Sequence, residues 1–89
     1  MSVEREKMSH AWALVDTAML LMQRYGCMEG IGFESMLSLY MEEALTVEGI
    51  QGIIRLLEDK ALTCAGLPYN AVVATLNLLR EAEKELFSP

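Results

Sequence analysis

The chain has 89 residues, 53% of them apolar. With its six glycines the apolar share rises to about 60%, where soluble domains usually run roughly 45–50%. A net charge of −6 with 22% charged residues excludes both a disordered acidic tail and a polybasic nucleic-acid binder, and two cysteines are too few for a disulfide scaffold.

One domain over residues 1–89 is expected. A chain this short buries only roughly 60–65% of its extended surface alone, so the apolar excess implies a second molecule sharing the core. The first residues, Met1 to Lys7, mix both charge signs, unlike a secretory leader. The most apolar run, Ala11 to Met22, carries Asp16 and Thr17 and falls short of the about 20 apolar residues a membrane span needs. These features, with Cys27 and Cys64 taken as widely separated thiols in a reducing compartment, predict a soluble cytoplasmic protein that contacts no membrane.

The apolar period is helical nearly throughout. From about Glu4 to Tyr25 two seams interleave, one through Met8, Trp12, Val15, Met19 and Met22, the other through Ala11, Leu14, Ala18, Leu21 and Tyr25. Each steps by three and four residues, which brings side chains onto one helix face. Ser9, Asp16 and Gln23, with His10, Thr17 and Arg24, form the polar stripe, so most of the circumference is apolar. Gly26 ends this helix as a left-handed cap, where glycine has no Cβ penalty. Cys27 to Gly32 follows as a flexible loop.

A second helix is expected from Phe33 to Leu45, with Phe33, Met36, Leu37, Tyr40, Met41 and Ala44 on one face. Thr46 is the candidate N-cap of a third, Val47 to Ala65, with Ile50, Ile53, Ile54, Leu57 and Ala61 facing in. The alternative is that helices two and three are continuous. Gly49 and Gly52 either weaken this stretch or permit close packing. Gly66-Leu67-Pro68 stops one helix and starts the next. The last runs from Pro68 to Leu86, with Val72, Leu76, Leu79 and Leu86 facing in and Asn70, Asn77, Glu81, Lys84 and Glu85 facing out. The expected fold class is all-α: a small antiparallel bundle of about four helices, completed by dimerisation.

Chemistry-bearing residues are sparse. His10 lies in the polar stripe without a second ligand at metal-binding spacing, so it reads as a solvated surface histidine. If the four helices alternate up and down, Cys27 and Cys64 share a pole and neighbouring thiols become a redox pair; without a CxxC spacing the commoner role is a small buried hydrophobe. The carboxylates fall at positions turned toward water and are spread among seven Lys and Arg, which does not single out a catalytic pair. Gly30-Ile31-Gly32 is no phosphate loop, since no strand precedes it and no GxGxxG spacing follows. Helix three sets Arg55 and Lys60 against Glu48, Glu58 and Asp59, which argues against a DNA-reading helix.

No catalytic, metal or cofactor residues are therefore expected. The sequence points to a small acidic, non-enzymatic interaction or regulatory module, of adaptor, inhibitor, antitoxin-like or chaperone-like kind. It would act as a homodimer on an unidentified protein partner, with Met8, Trp12, Val15, Met19 and Met22 as the dimer or partner contact. The alternative is a small-molecule binder with an apolar pocket formed by Trp12, Met36, Tyr40 and Met41.

Overall fold

The computed structural model describes residues 2–43 and 46–87, and the side chains of 6–43 and 46–87. Four helices pack together: α1 (Ser2–Arg24), α2 (Ile31–Met41), α3 (Val47–Thr63) and α4 (Tyr69–Phe87), with no strand among the described residues. No helix there is long and apolar enough to cross a membrane.

The termini follow from local chemistry. α1 closes in a Schellman motif around Gly26 (φ 72°). The Cys27 amide donates to the Met22 carbonyl and the Gly26 amide to the Gln23 carbonyl, each at 3.0 Å. This satisfies two carbonyls that the helix end would orphan, and Cys27 and Met22 both join the buried core. α2 begins at Ile31 rather than at the expected Phe33. Gly30 adopts φ 130°, a region glycine alone enters freely, and its carbonyl takes the Glu34 amide at 2.8 Å. The loop is thus shorter than its glycines suggested.

α2 and α3 are separate helices: the Glu42–Glu43 turn follows one and Thr46 caps the other, with positions 44 and 45, including the expected core residue Ala44, outside the described residues. The Thr46 hydroxyl accepts the Gly49 amide at 2.9 Å and donates to the Glu43 carbonyl at 2.7 Å, so the cap also fastens the turn before it. α3 ends at Thr63 with Cys64 as its C-cap, and the Pro68 carbonyl receives the Ala71 and Val72 amides that open α4.

The core is centred on α3, whose Ile50, Ile53, Ile54, Leu57 and Ala61 are all buried, as its period predicts. In α1 the buried stripe is Ala11, Val15, Ala18 and Met22, alternate members of both seams. In α4 it is Ala71, Thr75, Leu79 and Ala82, while Val72, Leu76 and Leu86 are half-buried beside it. α1 and α4, the two longest helices, form the most extensive helix contact of the fold. Among the described residues four of their eight buried ones are alanine, a size that suits close helix packing. Glu85, expected in open solvent, lies half-buried with its Oε1 2.9 Å from Nδ1 of His10. His10 is exposed, as expected, and is in addition paired with a carboxylate across the α1–α4 contact.

Among the described residues α2 packs on α3 and on neither α1 nor α4. Phe33 is buried there, and Leu37 and Tyr40 are half-buried. The Tyr40 ring rests over Gly52, where a Cβ would collide with it, and Gly49 approaches the Glu43 backbone in the same way. Both glycines therefore serve close packing. Met36 and Met41, expected on the inner face, are exposed, because one neighbouring helix covers a narrower arc than two.

Candidate interaction surfaces and the cysteine pole

Cys27 and Cys64 are joined as a disulfide, with Cα atoms 5.9 Å apart. Topology brings them together: the Schellman turn fixes Cys27 just past the end of α1, and Cys64 caps the end of α3. The expectation of two separate buried hydrophobes is corrected by that shared pole. Cys27 is buried and Cys64 is half-buried. Disulfides persist in oxidising compartments and are rare in the cytosol, so the cytoplasmic expectation loses the support it drew from free thiols.

Lys60 precedes Cys64 by one helical turn, and its carbonyl accepts the Cys64 amide. Its Nζ donates to the Glu29 carbonyl at 3.0 Å and lies 5.2 Å from the centre of the Phe33 ring, within range of a cation–π attraction. The disulfide and this ammonium together tie the loop before α2 to the last turns of α3. The loop's backbone conformation follows from the two positive-φ glycines. Sequence reading missed Lys60 because it was weighed only as a charge on helix three; its partners come from residues about 30 positions earlier.

The residues expected to contact a dimer or partner divide in two. Val15 and Met22 are fully buried within the single chain, as parts of its own core, and offer no surface to a second molecule. Met8, Trp12 and Met19 are half-buried on one flank of α1 and pack against that core. The expected pocket does not assemble as one lining. Trp12 belongs to α1, which α2 does not touch; Tyr40 lies on Gly52; Met36 and Met41 face outward. The depression on the outer side of α2 is open and lined by Glu34, Ser35, Ser38, Leu39 and Glu42.

Apolar side chains do remain in water. Ile31 is 88% exposed, Tyr69 80%, Leu62 67% and Leu39 57%. Ile31 and Leu39 share α2, whereas Leu62 stands among polar neighbours on the outer side of α3. On α4, Tyr69, Val73 and half-buried Leu76 follow one another at four- and three-residue steps, a partly uncovered seam. Among the described residues no group of three or more His, Cys, Asp or Glu is arranged to hold a metal ion.

Fold and surface define a small all-helical protein with a disulfide-closed pole and uncovered apolar faces. Compared with known family models, curated proteins and solved structures, the chain matches none.

Proposed function

We propose that this chain is a small acidic, non-enzymatic interaction or regulatory module that works as a homodimer, in the manner of an adaptor, inhibitor, antitoxin or chaperone. One observation carries the reading: a single copy leaves large apolar side chains in water, with Ile31, Leu39, Leu62 and Tyr69 each more than half exposed. The accessible surface is 5726 Å², whereas a compact monomer of 9.9 kDa exposes about 5200 Å². A body with that surplus lowers its free energy by laying its uncovered apolar area on a second copy. Of the five α1 residues expected at that contact, Met8, Trp12 and Met19 keep part of their surface exposed.

Three contacts support an antiparallel course of the helices. His10, early in α1, meets Glu85, late in α4. Gly66, just before α4, lies beside the Tyr25 carbonyl just after α1. The disulfide joins the ends of α1 and α3.

Sedimentation equilibrium of the oxidised chain at micromolar concentration tests the dimer. The expected mass is twice 9.9 kDa, reduced toward a single chain by Trp12→Ala. A single-chain mass for the unaltered protein overturns the homodimer. A dissociable small mass in native mass spectrometry would replace this reading with a ligand-binding one.

A further inference from the structure

α2 carries more apolar surface than its one neighbour covers. It seats Phe33, Leu37 and Tyr40 on α3 and turns Ile31 and Leu39 to the opposite side. Those two lie eight residues apart, about 12 Å along the axis. Ser35 and Ser38 lie between them, and their small side chains leave the open depression that Glu34 and Glu42 border.

Charge is concentrated on the same segment. From Tyr25 to Ile54 the sequence holds Glu29, Glu34, Glu42, Glu43 and Glu48 and no Lys, Arg or His, which is −5 of the net −6. The remainder of the chain holds eight acidic and seven basic residues, a net of −1. The expectation that acidic residues are spread among basic ones fails for this stretch. Lys60, which reaches the start of α2, directs its ammonium to the Glu29 carbonyl and the Phe33 ring on the side facing α3. The outer face of α2 thus keeps its carboxylates without an intervening cation from its own helix.

We infer that the outer face of α2 docks a cationic amphipathic helix, one with an apolar stripe flanked by Lys or Arg. This rests on the interaction-module reading and names the partner's chemistry. Ile31 and Leu39 meet the stripe, Ser35 and Ser38 let the partner's backbone come close, and Glu34 and Glu42 face its cations. A second copy of this chain is the poorer occupant, because its own α2 segment would bring a second charge of like sign.

The test uses the full oxidised chain and two designed Leu/Lys peptides of about five turns: one amphipathic, the other a scrambled isomer without the stripe. The amphipathic peptide is expected to bind, with amide shifts confined to residues 31–43. Leu39→Ser or Ile31→Ser weakens binding about tenfold, Glu34→Gln with Glu42→Gln lessens its salt dependence, and Leu62→Ser leaves it unchanged. Equal binding of the scrambled isomer, shifts mapped elsewhere, or an unaffected Leu39→Ser overturns the proposal. The outcomes also separate it from the homodimer: a dimer that binds no peptide overturns this site alone. A monomer that binds at α2 keeps the site and overturns the dimer, while a monomer without binding removes both.

Discussion

Reducing the Cys27–Cys64 bond is the perturbation whose size the structure fixes best. The bond closes a loop with a sequence separation of 37, which contains all of α2 and α3. In the chain-entropy account, a closed loop of that length removes about 13 cal/mol/K from the unfolded ensemble, or about 3.8 kcal/mol at 25 °C. Closure should cost the native state little strain, because the Schellman turn and the α3 cap already hold the two backbones 5.9 Å apart at Cα. Reduction is therefore expected to lower the unfolding free energy by about 3–4 kcal/mol and Tm by about 15–30 °C.

The assay is urea unfolding of the oxidised chain, the chain with a phosphine reductant, and a Cys27→Ser, Cys64→Ser double variant. All are compared at one protein concentration, since association also shifts the midpoint. The slope with denaturant should be smaller for the oxidised form, whose unfolded chain is more compact. Linkage adds a second, independent readout. What the bond gives the fold, the fold gives the bond, so the thiols' effective concentration in the folded chain exceeds that in the unfolded chain by roughly 600-fold. That corresponds to a reduction potential about 80 mV lower when folded than in urea. Oxidised and reduced chains within about 1 kcal/mol of each other would refute the loop-entropy reasoning. Equal potentials in both states would refute the claim that the fold positions the sulfurs.

Three further substitutions probe the packing. Thr75 is fully buried and its Oγ1 has no hydrogen-bond partner, so Thr75→Val should raise stability by about 1–2 kcal/mol; a fall in the calorimetric midpoint would mean that the hydroxyl is satisfied. Gly52→Ala gains helix propensity of roughly 1 kcal/mol but drives a Cβ into the Tyr40 ring. A net loss of about 1–3 kcal/mol is expected, largely relieved when the comparison is made in a Tyr40→Ala background; additive losses would sink the argument. Thr46→Ala removes the cap on the Gly49 amide and should cost about 1 kcal/mol, with hydrogen exchange quickening first at the start of α3.

What the sequence disclosed depended on how many helices surround each element. α3 was legible residue by residue, because its polar positions outline a single face and α1, α2 and α4 all press on it. The Thr46 and Gly26 termini were legible because each is decided by a few neighbouring atoms. α2 was over-assigned to the core, since periodicity says which residues share a side and not how much of that side a neighbour covers. The cysteines were legible only conditionally: their common pole follows once α1 and α3 end together, and that ending is a tertiary fact.

The same limit explains α1 and α4. A hydrophobic count gives most weight to Trp12, Met19, Leu76 and Leu86, yet the buried positions include Ala11, Ala18, Ala71 and Ala82, small residues that fit where helices pack closely. Beside these buried stripes Met8, Trp12 and Met19 remain half-buried and Tyr69 and Val73 exposed. A chain that commits alanine to half of the described buried positions of α1 and α4 leaves larger side chains at the surface, where another molecule can cover them.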